Sequence, residues 1–157
     1  MDIEVKVLDK RLFDWGFPAY GSDAASGLDL YACLQQTLIL RPYQSATLVS
    51  SGIAIDIGDP DWCGLVLPRS GLAHSKGLVL GNAVGLIDPD YRGHCYMSLW
   101  NRNHIDPARP ESGEIVVHPG DRVAQLVLVR ICRPNWKVVD ELRGSTRGSQ
   151  GFGSSGT

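Results

Sequence analysis

The chain predicts an all-β domain: a sandwich, jelly roll or barrel of short strands. Three observations carry this. Short apolar runs recur along the chain with turn signals between them, the pattern of sheets that fold back on themselves. The 18 glycines and 9 prolines are many for a helical domain and suit frequent turns. Nowhere do apolar residues keep helical spacing long enough for an extended amphipathic helix. At 157 residues the length fits one domain, and neither an internal repeat nor a linker divides it.

Residues 3–8 alternate apolar and charged side chains, which predicts a strand with one buried face. A turn-rich loop follows through Pro18, Gly21 and Asp23. Residues 28–34 and 37–40 read as strands. Residues 47–49 and 53–57 read as two more, split by Ser50, Ser51 and Gly52. After a turn at 58–61, residues 62–67 form a strand that stops at Pro68. Residues 71–76 suit one or two helical turns ended by Gly77. The runs 83–87 and 91–100, joined by a turn at 88–90, read as a hairpin. Residues 101–113 are a polar loop. Two last strands, 114–117 and 122–132, flank a Pro-Gly-Asp turn at 119–121. The barrel domain is expected over 1–143, with a glycine-serine arm at 144–157.

Composition excludes several classes. A net charge of −2 and a pI of about 6.0 leave no global basic field for nucleic acid, so any phosphate must meet a local cluster. Cys33, Cys63, Cys95 and Cys132 form no CxxC pair, and nothing suggests a zinc set or a tight disulfide framework. No apolar run approaches the ~18 residues of a membrane span, and residues 1–11 lack the apolar core of a signal peptide. The expectation is a soluble, cytoplasmic protein with reduced thiols and no membrane partner.

Residues 147–157 (RGSQGFGSSGT) combine one cation, one aromatic ring, hydroxyls and four glycines. Such a stretch is either a frayed end or a lid over an anionic aromatic ligand. Backbone N–H groups, hydroxyls and an arginine are the donors a phosphate needs.

Four more segments are too polar or glycine-rich for strand interiors: 24–30 (AASGLDL), 68–71 (PRSG), 81–93 (GNAVGLIDPDYRG) and 119–126 (PGDRVAQL). On its own merits Asp29 is a turn residue or an acid beside a triphosphate. Ser70 is a helix cap with a solvated Arg69 beside it, or part of an anion site. Gln125 is an edge residue or a phosphate and water positioner. Asp88 belongs to a simple turn or carries chemistry. Tyr91 is equally a cross-strand core residue or a ligand contact.

In this order the five segments closely resemble the five motifs of the trimeric dUTPase family, the dUTP diphosphatases. The resemblance implies a jelly-roll-like β-barrel with a flexible C-terminal arm, a homotrimer, the substrate dUTP and the cofactor Mg²⁺. It makes Asp88 the general base that activates water. Arg69, Ser70, Gly71, Gln125, Arg147, Gly148 and Ser149 become phosphate ligands. Asn82, Gly85, Leu86, Ile87, Tyr91, Tyr96, Met97 and Phe152 become contacts to uracil and deoxyribose. Tyr91 lies under the sugar, where a 2′-OH would collide, and Asp29 reaches the metal through water. One subunit supplies motifs one, two and four, a neighbour the third, and the remaining subunit the tail.

Gln150 stands where the family usually has glycine, and the loop at 103–113 is longer than typical, with no assigned function. His74 and His94 fit no catalytic role. A dCTP deaminase of the same fold would need a glutamate in the third motif, where Asp88 and Asp90 are the only acids. A non-catalytic regulator could dispense with Asp88 or the tail, and both are present.

Overall fold

The computed structural model describes residues 2–109, 111–146 and 148–149. Among these residues ten strands run in chain order: β1 (Glu4–Val7), β2 (Leu28–Tyr31), β3 (Leu38–Leu40), β4 (Thr47–Asp56), β5 (Trp62–Pro68), β6 (Leu78–Leu80), β7 (Gly85–Ile87), β8 (His94–Asn101), β9 (Ile115–Val117) and β10 (Arg122–Arg130). Two short helices interrupt them, α1 (Leu12–Trp15) and α2 (Ser70–Ser75). One sheet has the order β1-β4-β8-β6, a second β2-β10-β5-β7, and β3 pairs with β9 in a third. All the ladders are antiparallel.

The core lies between the sheets and is set by period-two alternation. In β8, Cys95, Met97, Leu99 and Asn101 point inward while Tyr96 and Trp100 face out. Met97 and Leu99 meet Val49, Ile53, Leu30 and Val117 in one cluster, and burying each such side chain contributes about 1.5–3 kcal/mol. The inward Asn101 is satisfied: its Nδ2 donates to the carbonyls of Leu40 and Gly113, each at 2.7 Å, and its Oδ1 accepts from Asn103 N at 2.9 Å. These bonds fasten the start of the 103–113 loop.

Four expectations are corrected. The two strands read at 47–49 and 53–57 are one, β4, whose ladder to β8 slips between Ser50 and Ala54. Gly52 absorbs the slip with φ +75°, and a Cβ there would stand 2.5 Å from Cys33 Sγ; a glycine at a bulge looks like a break in sequence. The loop after β1 contains α1, whose four residues are too few to display a period. Its end is set by left-handed Gly16.

The runs around Asp88 do not form a hairpin. β7 pairs with β5 and β8 pairs with β4 and β6, so the turn crosses from one sheet to the other. Residues 91–93 belong to that turn, and β8 begins only at His94. Finally, β1 is an edge strand with no cleanly buried face. Ile3 and Val7 pack against the core, but Val5 between them stays 39% exposed.

Candidate active site

Strand β10 lies between β2 and β5, and its register gathers three of the polar segments. Gln125 is the cross-strand partner of Asp29 on one side and of Leu67 on the other. The carboxylate of Asp29 is gripped by two guanidinium groups, with Arg69 Nε at 2.8 Å and Arg122 Nη1 at 3.1 Å. Arg69 is oriented further by donating from Nη1 to the Arg122 carbonyl at 3.0 Å. Gln125 Nε2 donates to the Pro68 carbonyl at 2.9 Å. Its Oε1 lies against Gly27, where a Cβ would come within 2.6 Å. A side chain at residue 27 would displace the amide from this position.

These groups border an open cleft of about 360 Å³ that includes Ser26, Asp29, Arg69, Ser70 and Gln125. Arg69 and Asp29 are the charged side chains lining this cleft, and Arg122 holds the other Asp29 oxygen without lining it; guanidinium donors match phosphate oxygens. Ser70 is the first residue of α2, and the capping position is taken by Arg69 in extended conformation with no side-chain cap bond. The capping role open to Ser70 in the sequence is therefore excluded. Gly71 is exposed, and a Cβ there meets nothing within 4 Å.

The third segment reaches a different place. Gly85 pairs with Val66 and Ile87 with Gly64, so Asp88 falls level with Cys63. Arg69 lies six residues further along β5 and its exit. At about 3.4 Å per residue, their backbones are roughly 20 Å apart. Within one chain, Asp88 is not joined to the Asp29–Arg69–Gln125 cleft. The proximity to Asp88 registers on the buried thiol of Cys63, which is pushed up from the usual range first by burial and then by the Asp88 charge.

Asn82, Leu86, Tyr91 and Tyr96 are exposed, and Gly85 is half-buried on the edge strand β7. The side chains of Ile87 and Met97 belong to the core, Met97 at 1% exposure, so any contact they make with a ligand is through backbone. Tyr91 does not join a cross-strand core pair. It sits in the 88–93 turn with its Oη donating to the His94 carbonyl at 3.0 Å. His94 is a satisfied histidine, with Nε2 2.7 Å from Ser50 Oγ and its ring 4.3 Å from that of Tyr96. His74 is exposed on α2. In the arm, Gly148 N donates to the carbonyl and hydroxyl oxygens of Ser145, and Ser149 is exposed. Arg147, Gln150 and Phe152 lie outside the described residues.

The sequence reading gave no role to Arg122. Its signal was a cation at the start of an otherwise apolar strand, where a charge needs a partner. The partner is Asp29.

The dUTPase family model matches residues 14–156. The chain belongs to the dUTPase family. It is 46% identical over 156 residues to the deoxyuridine 5'-triphosphate nucleotidohydrolase of Paraburkholderia xenovorans, covering 99% of each chain. It is 45% identical over 157 residues to that of Neisseria meningitidis serogroup C, covering 100% of this chain and 98% of the relative. Among solved structures it is similar to a Staphylococcus bacteriophage 80alpha dUTPase mutant with dUpNHpp. There the TM-score is 0.84 at 28% identity, with 99% of both chains covered. The jelly-roll-like barrel expected of a dUTPase is thus the fold of this chain.

Among the described residues, no three His, Cys, Asp or Glu side chains cluster as a metal cage. The cleft offers one carboxylate, Asp29, with its oxygens already turned to Arg69 and Arg122. That arrangement fits an ion that keeps its waters and takes its other ligands from substrate phosphates, and it does not fit a direct all-protein cage.

Proposed function

We propose that this dUTPase-family chain is a dUTP diphosphatase that converts dUTP to dUMP and diphosphate by attack of water on the α-phosphorus. The observation that carries the reading is the register of β10, which sets Asp29, Arg69 and Gln125 around one polar cleft. Arg69 donates to phosphate oxygens, with Ser70 and Gly71 at the first turn of α2 beside it. Gln125 positions phosphate and water. Asp88 accepts the proton of the attacking water, and Asn82, Leu86 and Tyr91 border the base and sugar. Mg²⁺, approached by Asp29 through water, supplies charge neutralisation on the phosphates when bound.

A general base works within hydrogen-bond reach of the proton it takes. The separation of roughly 20 Å along β5 therefore supports a site shared between copies, with Asp88 of one facing the cleft of another, in a homotrimer. The segment after β10 supports it too. Residues 131–146 form neither helix nor strand, and Trp136, Val138 and Leu142 are almost fully exposed, a set that a neighbouring copy would cover. Residues 144–157 act as the lid, with Arg147, Gly148 and Ser149 on the phosphates and Phe152 stacked on uracil. The free thiols of Cys33, Cys63, Cys95 and Cys132 suit a reducing compartment, and we place the protein in the cytoplasm. Its cellular effect would be to keep uracil out of DNA and supply dUMP for thymidylate synthesis.

Diphosphate and ammonia release from dUTP, dCTP, dTTP and UTP, with and without Mg²⁺, tests the reading. Diphosphate from dUTP, dependent on Mg²⁺ and with no ammonia from dCTP, is expected. Ammonia from dCTP, or no turnover of dUTP, would overturn it.

A further inference from the structure

We infer that Gly93 is a positioning residue for sugar selection: its missing side chain is the seat on which the Tyr91 ring rests. Three contacts hold Tyr91 in the turn between β7 and β8. Its backbone N donates to the Asp88 carbonyl at 3.1 Å. Its Oη donates to the His94 carbonyl at 3.0 Å. Between these two anchors the ring lies directly over Gly93. A Cβ at residue 93 would collide with the Tyr91 hydroxyl and stand 2.5 Å from Cζ and 2.9 Å from Cε2.

The backbone does not explain the glycine. Gly52, Gly77, Gly113 and Gly120 all have φ in the left-handed region that favours glycine, and Gly93 does not. No left-handed φ calls for glycine at 93, and the Tyr91 ring is what a Cβ there would meet. The turn beneath is held independently. Arg92 Nη1 donates to the Pro89 carbonyl at 2.7 Å, and its Nη2 pairs with Asp56 Oδ1 at 2.5 Å. With the turn fixed and Tyr91 44% exposed, the ring is the element free to yield. A methyl group at 93 would lift it off its seat, break the bond to the His94 carbonyl and move it relative to the sugar.

The inference rests on the reading of Tyr91 as the residue that rejects a ribose 2′-OH, and the experiment separates the two. The full-length Gly93→Ala, Tyr91→Ala and doubly substituted proteins are compared by their kcat/KM for dUTP relative to UTP. Each single substitution should lower that ratio on the order of tenfold, within the range of couplings between residues in contact. The double substitution should be no worse than Tyr91→Ala alone. Multiplying effects, or a wild-type ratio in Gly93→Ala beside a lowered one in Tyr91→Ala, would overturn the role of Gly93. A wild-type ratio in Tyr91→Ala would overturn the sugar reading itself and the inference with it. Should Gly93→Ala alone not fold, removing the Tyr91 ring must restore folding, and failure of the double variant to fold would also overturn the proposal.

Discussion

Gln125 and Asp29 face each other across the β2–β10 ladder, and the amide of Gln125 is wedged between Gly27 on one side and the Pro68 carbonyl on the other. One cross-strand pair thus ties together the segments at 24–30, 68–71 and 119–126. Displacing the amide would break its bond to the Pro68 carbonyl, at the turn that presents Ser70.

Gly27→Ala tests that wedge. Its methyl would lie 2.6 Å from Gln125 Oε1, so the amide must leave its place. The expected outcome is a fall in kcat/KM for dUTP of roughly tenfold to a hundredfold, the scale of an ångström-level misplacement of a positioning group. Steady-state kinetics beside a melting curve would check this. Unchanged kinetics would show that the position of Gln125 is immaterial.

Asp88→Asn keeps the shape of the turn and removes the proposed proton acceptor. Because Asp88 is exposed, folding should be unaffected. The rate constant should fall by ~10²–10⁴-fold, the usual contribution of a general base, while binding of a non-hydrolysable dUTP analogue persists. Calorimetric titration and single-turnover hydrolysis separate the two effects. Turnover within about threefold of the unsubstituted protein would remove Asp88 from the mechanism.

Deleting residues 147–157 should leave folding and assembly intact and lower hydrolysis by ~10²–10³-fold, the scale of losing a positioned donor at the reacting phosphate. Phe152→Ala should be milder, and Gln150→Gly neutral or slightly activating. Normal turnover by the truncated protein would make the tail a frayed end.

Much of this was legible in the sequence. Turn residues and alternation mark strand-sized runs reliably, and the polar segments stand out because glycine, serine and charge are out of place between apolar strands. What the sequence hid was pairing. Gly52 reads as a break, yet it carries a bulge through one long strand, because a glycine with positive φ serves a turn and a bulge alike. The runs on either side of Asp88 look like a hairpin, yet neither pairs with the other: β5 is the partner of one and β4 and β6 of the other. Short separation in sequence does not choose a ladder when two sheets compete for the same strands. The same blindness concealed Arg122, whose carboxylate partner lies 93 residues away, and the core position of Met97. The separation of Asp88 from Arg69, which the resemblance implies by putting their motifs on different subunits, gets its magnitude from the β5–β7 register.

That distance makes subunit mixing the most direct measurement. Asp88→Asn and Arg69→Ala chains, each nearly inactive alone, are combined in equal amounts and allowed to exchange subunits. If the base of one copy serves the cleft of another, a site is intact when both contributing chains carry the required native residue. Random assembly of a closed trimer then restores about a quarter of the native activity, one half times one half. If a single chain built its own site, every site in the mixture would lack one residue, and the mixture would stay as inactive as its components.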